Sequence, residues 1–448
     1  MIMDNCILYE LLVYSEWKEE PELKCNRHVE DAKSIAGILF RSFKSAFKTV
    51  TNKEAHDDSI FRLINAQLPW QFAVGEKGKV VAIMQNEILE IRTSRDEYSS
   101  VVGKAGIPKD PYPQWRKLAW SPDCSMLACA QSNGIVGFYD LLGSNIFNIY
   151  PAKYNDQNVF SDIKHALVCV IFLEGRVKSP KWSYELITVD GMGNLKNGYQ
   201  ENHSFSFAKS YVGGVTDVVY HAPHNLLYVV GSSNILDINQ QQDQGSKMGI
   251  SAWRILNDYP FYKLAKSVSD DDNDSAHHMM QSKVWSWIPF FFRKIQSDIY
   301  KIQISPLGKY MVCLHTSGSI SIWLLPSIRF WKLNSQPNYD VKNNVFLDQR
   351  RSNLFSVSES ILYHPVDVNW WSEEAIIIAR YSGSISVCSI NDLQNLLGDL
   401  PEFFDGQPRV SSMCDKGFLG LECVCMVSSI KKRLLEDDQN WEELSMSG

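Results

Sequence analysis

The sequence is poor in the features that announce chemistry. None of the strings G-x-S-x-G, G-x-x-x-x-G-K-[ST] or H-E-x-x-H occurs in it, so no nucleophile elbow, phosphate-cradling loop or zinc-protease helix is marked. GMGNL at 191 reads as a hairpin turn between strands. The ten cysteines contain no C-x-x-C pair and mostly fall inside apolar strand patterns, which fits reduced, buried thiols of a cytosolic protein. His277 and His278 have no Cys or His at ligand spacing on either side, whereas a structural zinc site shows its ligands in recognisable pairs. The aspartate run in SDDDNDSAHH lacks the glycine and closing glutamate of a calcium loop. Neither a metal nor a cofactor is expected.

Long apolar runs are missing too. The longest, Val284 to Phe292, is far below the roughly 20 residues that span a bilayer. The amino end, MIMDNCILYELLVYSEW, places Asp4 and Glu10 around a short apolar run and has neither a basic leader nor a small-residue cleavage site. Basic excess is absent as well: 51 acidic residues outnumber 44 basic ones, for a net charge of −7. No global attraction to nucleic acid follows, and direct nucleic-acid binding is not expected.

What is there is repetition. Residues 115 to 143, WRKLAWSPDCSMLACAQSNGIVGFYDLLG, read as three short strands joined by tight turns, with Asn133-Gly134 expected to form a two-residue hairpin turn with φ > 0 at both positions. The same order of events returns at 299 to 325, IYKIQISPLGKYMVCLHTSGSISIWLL, and at 366 to 390, VDVNWWSEEAIIIARYSGSISVCSI. Weaker copies occupy 68 to 92, 166 to 195, and 215 to 233 continuing at 249 to 256. The first strands end near 72, 120, 172, 220, 304 and 370, and a period of about 40 to 50 residues with three or four strands per copy is the signature of a β-propeller. The fold class is therefore all-β, a WD-repeat-like propeller over residues 1 to 430. Pairing ILYELLVYSEW (7 to 17) with FLGLECVCMV (418 to 427) would close the ring as a seventh blade and remove exposed edges. Loop insertions are expected at 234–248, 265–298 and 331–360, and a charged tail at 431–448. Trp70, Trp115, Trp120, Trp253, Trp323, Trp370 and Trp371 recur on strands and should mostly fill the core between blades.

Residues 120 to 140 resemble a WD repeat, with Ser121-Pro122-Asp123 at the usual turn and Phe138-Tyr139-Asp140 where many repeats have W-D. Beyond the repeats, ILYELLV, VGKAGIPKDPYPQWRKLAWSPDCSMLA, GISAWRIL, VDVNWWSEEAI and NLLGDLPEFF together resemble the amino-terminal propeller of the neuroblastoma-amplified sequence (NBAS) family. The resemblance implies a subunit of an endoplasmic-reticulum tethering complex that captures Golgi-derived retrograde vesicles and supports SNARE assembly. Its implied partners are the other tether subunits and SNAREs of that membrane, and its implied place is cytoplasmic and peripheral to the membrane. A second role implied is accessory to nonsense-mediated mRNA decay, through protein partners. The family continues into an α-solenoid, whereas this chain stops at Gly448, so roles that reside in the solenoid are not carried over.

Two stretches are candidate contact sites. In DAKSIAGILFRSFKSAFKTV, residues 31 to 50, Ile35, Leu39, Phe43 and Phe47 recur at i, i+4 with Lys33, Arg41, Lys44 and Lys48 outside that row, which predicts a basic amphipathic helical insertion over 31–53. It would either lie against the propeller or touch an anionic membrane or a partner. VWSWIPFFFRK contains Trp285, Trp287, Phe290 and Phe291, an aromatic density that marks an interface where exposed and a small satellite core where covered. A propeller enzyme would need convergent carboxylates or histidines in the central channel, and the repeats show no such recurring polar positions. A non-catalytic interaction scaffold is the leading expectation.

Overall fold

The computed structural model of the chain describes residues 7–14, 70–151, 166–174, 184–197, 204–231, 248–269, 299–334, 365–396, 402–403, 409–412 and 424–431, apart from short breaks inside some of these stretches. Apolar residues alternating along short runs fold as antiparallel strands, because a period of two sends one set of side chains to each sheet face. The first blade is β2 (Trp70–Gly75), β3 (Val80–Gln85), β4 (Ile88–Thr93) and β5 (Val101–Gly106). The second is β6 (Lys117–Trp120), β7 (Leu127–Ala130), β8 (Val136–Tyr139) and β9 (Asn145–Ile149). β10 (Leu167–Glu174), β11 (Tyr184–Asp190), β12 (Asn194–Asn197) and β13 (Phe205–Ser206) form the third. β14 (Val215–His221), β15 (Leu226–Gly231), β16 (Met248–Ile255) and β17 (Tyr262–Ser269) form the fourth. The fifth is β18 (Ile299–Ile304), β19 (Tyr310–His315), β20 (Ile320–Leu324) and β21 (Arg329–Asn334). The sixth is β22 (Pro365–Ser372), β23 (Ala375–Arg380), β24 (Ser384–Ser389) and β25 (Glu402–Phe403).

Each of these six sheets is a meander in chain order. The first strand of each touches the first strand of the next, from β2 through β6, β10, β14 and β18 to β22, and β22 touches β26 (Arg409–Ser412). The blades thus follow one another in a propeller-like arrangement. The two chain ends do meet: β1 (Ile7–Tyr14) pairs with β27 (Val424–Lys431), Ile7 opposite Val424 and Tyr14 opposite Lys431. That sheet, ordered β1-β27-β26, has three strands, and its end-to-end pair is parallel. Six four-stranded blades are thus present among the described residues, and the terminal sheet on which the expected seventh rests differs from them in having three strands.

Burial lies between blades. Met84, Leu89 and Ile91 of the first blade pack with Leu127, Cys129 and Tyr139 of the second. Ile187, Val189 and Phe207 of the third blade meet Val229, Trp253 and Ile255 of the fourth. Tyr228 and Ala252 meet Ile302, Met311 and Cys313 across the next junction, and Val312 and Ile322 meet Trp370 and Ile376 across the one after. Of the tryptophans on strands, Trp253, Trp370 and Trp371 are buried, and Trp120 and Trp323 are partly buried against these cores. Trp115, also buried, departs from the expected strand position: it ends a 3-10 turn, Pro113–Trp115, and stacks on Tyr112 with ring centroids 4.1 Å apart.

Local expectations change at one turn and at two insertion bounds. At Asn133-Gly134 only Gly134 has positive φ, +82°. The Asn133 side-chain oxygen accepts the Ile135 N–H at 3.1 Å, and Gln131 and Ile135 close a longer turn, so the asparagine needs no left-handed backbone. β17 runs to Ser269 and β21 to Asn334, carrying strand into the stretches expected as loops from 265 and 331. Residues 31–53, expected as helix, lie outside the described residues, as does the tail beyond 431.

Candidate interaction surfaces

The innermost strands place one residue of each blade at a shared level. Pairing with the second strand aligns Gln71, Lys117, Cys169, Asp217, Lys301 and Asp367. Bulges after Leu167, Val215, Ile299 and Pro365 bring the residue two positions on into this register. Polar residues thus recur at the hub, which corrects the expectation that the repeats lack recurring polar positions. Sequence reasoning missed them because single residues tens of positions apart show no local pattern; aligning the copies on the ends of their first strands would have exposed most of them.

Three of these groups are tied across blade junctions. Lys301 Nζ pairs with an Asp367 carboxylate oxygen, and Asp217 Oδ2 accepts the Ile302 N–H at 2.9 Å. Asp217 keeps some accessible surface although protein surrounds it, as a group on an inner strand does. Burial raises its carboxyl above the ordinary range, against the lowering pull of Lys117, the Ile302 N–H, Lys301 and the Val218 N–H. The Cys169 thiol is pushed up by burial and by Asp217, which disarms it as a nucleophile. Links between successive blades thus staple the ring at its hub.

A second set of staples works between turns. Glu373, in the β22–β23 turn, accepts from Ser305 Oγ and the Leu307 N–H, both at 2.8 Å, so the sixth blade holds the Ser-Pro turn of the fifth. His221 Nε2 lies 2.9 Å from the Gly308 carbonyl, joining the fourth blade to the same turn. Asp123 is exposed, and against a raising push from slight desolvation its carboxyl is held below the ordinary range by hydrogen bonds from Ser121, Ser125 and Tyr184, the last on the third blade. Within the K-D-P-Y-P-Q-W-R string, Asp110 and Arg116 form a buried ion pair, Nε to Oδ2 3.4 Å, with side chains 1% and 2% exposed. Asp110 also accepts the Tyr112 N–H at 3.0 Å, the Ser132 N–H at 2.9 Å and the Ser132 hydroxyl. The string is a latch between the first blade's exit and the β7–β8 turn.

The surface left over is the rim. Val101 and Val102 on β5, Leu142 in the β8–β9 turn, Ile146 on β9 and Tyr150 are exposed. Gly103 and Gly143 let these elements touch by backbone: a Cβ on Gly103 would stand 2.3 Å from the Leu141 carbonyl oxygen. Elsewhere, Tyr259, Leu264 and Trp331 are exposed on the outer turns and strands of the fourth and fifth blades. The eight contact residues expected from sequence, Ile35, Leu39, Phe43, Phe47, Trp285, Trp287, Phe290 and Phe291, lie outside the described residues. Among the described residues no helix is long and apolar enough to cross a membrane, and no group of three or more His, Cys, Asp or Glu is placed to hold a metal.

A family model described as "Neuroblastoma-amplified sequence, N terminal" matches residues 70–345, more than half of the chain. The chain belongs to that family. This NBAS-family chain is 34% identical, over 98% of its length, to the human protein named "NBAS subunit of NRZ tethering complex". It is 22% identical over 72% of its length to "MAG2-interacting protein 2" of Arabidopsis thaliana. It spans 19% of the first relative and 13% of the second. The NBAS-family region matched, 70–345, contains the first five blades whole, so the Asp110 latch and most of the hub lie inside it.

Proposed function

We propose that this chain is a non-catalytic protein-interaction scaffold of a vesicle tethering complex on the endoplasmic reticulum, acting in Golgi-to-ER retrograde transport and SNARE assembly. The observation that carries the reading is the 34% identity, across nearly the whole chain, to a protein named as a tethering-complex subunit. The stapled ring supports it, since a rigid body with loops and outer strands on its rim suits recognition. On this reading the partners are the other tether subunits and SNAREs of that membrane, and the chain is cytoplasmic and peripheral to it. The terminal sheet completes the ring as a seventh blade, and residues 31–53 form a helical insertion whose row Ile35, Leu39, Phe43 and Phe47 meets the propeller, a partner or lipid.

Affinity capture of residues 1–448 from cell extract, beside the full-length relative, tests it. Retention of tether subunits by this chain assigns their interface to the propeller. Capture of mRNA-decay proteins without tether subunits replaces the reading with the decay role.

A further inference from the structure

The fourth blade ends in an outer strand that is long for its position and unpaired among the described strands. β17 has eight residues, against six in β5 and β21, five in β9 and two in β13 and β25. A row of unpaired N–H and C=O groups on such an edge is a template for another strand. Its charge is of one sign. Lys263 stands opposite Arg254 and Lys266 opposite Ala252. The register shift between Ala252 and Trp253 skips Ala265, and Arg254 and Ala252 are two apart on β16, so the bulge brings Lys263 and Lys266 onto one face with Arg254. All three are exposed, and none makes an ion pair among the described residues.

Like charges directly opposite on paired strands destabilise the sheet. An anionic strand beside them would remove that penalty. Lysines on an edge also guard it against indiscriminate pairing. Here the guard is selective: it repels a second copy of β17 and any neutral or basic strand gains nothing from it, whereas an acidic strand is matched. Exposed Leu264, and Tyr259 at 87% exposure in the preceding turn, add apolar surface at the same edge.

We propose that β17 is a docking edge for an extended acidic segment of a partner protein, which joins the fourth blade as a fifth strand beside Lys263, Lys266 and Arg254. Main-chain hydrogen bonds supply affinity in this mode and the side chains supply choice. The inference names one surface for the scaffold reading and rests on it.

The test is fluorescence anisotropy of the purified 448-residue chain with a fluorescein-labelled peptide of alternating Glu and Val. Controls are its Lys-for-Glu counterpart and a version N-methylated on every amide. The acidic peptide is expected to bind, to weaken about tenfold or more against the Lys263→Glu, Lys266→Glu double variant, and to lose binding on N-methylation. The basic peptide is expected to bind the double variant better than the parent chain. Equal melting temperatures of parent and variant exclude a folding defect, which exposed positions make the expected result. The proposal is overturned by no binding of the acidic peptide, by undiminished binding of the N-methylated form, or by equal binding to the double variant. Sedimentation showing self-association that the double variant abolishes would assign the edge to a second copy and overturn it too. Failure here leaves the capture of tether subunits untouched, so the two readings fall separately.

Discussion

The indole Nε1–H of Trp370, in the sixth blade, donates to the backbone carbonyl of Gln303, in the fifth, at 3.0 Å. Trp120 makes the same bond from the second blade to Ala73 of the first, at 3.1 Å. In hub register the two tryptophans hold one position and the two carbonyls another, so one device clasps two junctions far apart around the ring. A tryptophan suits it because its ring fills the inter-blade core while its single donor reaches the neighbouring strand.

Trp370→Phe keeps a ring in the core but leaves the Gln303 carbonyl without that donor, at an expected cost of about 1–3 kcal/mol. Trp370→Ala removes the ring as well and is expected to cost about 3–5 kcal/mol. Trp120→Phe should cost less than Trp370→Phe, because Trp120 is only partly buried and water can replace the bond. Urea denaturation midpoints of the three variants check the order.

The buried pair Asp110 and Arg116 gives a second prediction. Asp110→Ala removes the carboxylate that neutralises a guanidinium 2% exposed and that accepts the Ser132 amide, for an expected loss of about 3–5 kcal/mol. Replacing both, Asp110→Leu with Arg116→Met, should recover much of that loss, since no buried charge remains. A double-mutant cycle by chemical denaturation measures the coupling. Additive losses would show that the pair is not the latch.

Much of this fold was written locally. Leu118, Trp120 and the Ser121-Pro122-Asp123 turn declare a strand and its end within a few residues, as do Ile302, Ile304 and the Ser305-Pro306 turn. What decided the hub was written at long range: the Asp217 carboxylate meets an amide 85 residues away, and its place in register depends on a bulge that alternation does not reveal. The terminal pairing was legible because two apolar runs stood without neighbours; its parallel sense was not, because alternation carries no direction. The rim was illegible for a further reason. Val102 and Leu142 read as strand-like apolar residues, and only the placement of β5 and the β8–β9 turn shows them exposed.

Thiol chemistry supplies a third prediction. Burial pushes the Cys129 thiol up to about 12, with Arg116 pulling it down and Asp110 pushing it up. Burial likewise raises Cys313 and Cys169. Since the thiolate is the reactive form, these three should resist iodoacetamide in the native chain at neutral pH and react in urea. Peptide-resolved mass spectrometry distinguishes them from the other cysteines, and native labelling as fast as in urea would contradict the burial.

Asp217 supplies the last. Its carboxyl is raised by burial more than Lys117, the Ile302 N–H, Lys301 and the Val218 N–H together lower it. The native chain therefore holds a proton that the unfolded chain releases near the ordinary aspartate value of about 3.9. Between that value and the raised native one the unfolded state binds fewer protons, so this group's contribution to stability falls as pH rises. Below the window both states are protonated and nothing is lost; above it both are ionised and the loss is constant. Asp217→Asn has no proton to exchange. The difference in melting temperature, variant minus parent, should accordingly shift in the variant's favour as pH climbs from about 3.9 through the native value, then level off. A difference that shifts in the parent's favour over the same range would mean that the lysines and amides around Asp217 outweigh its burial, and that the hub prefers the charge it encloses.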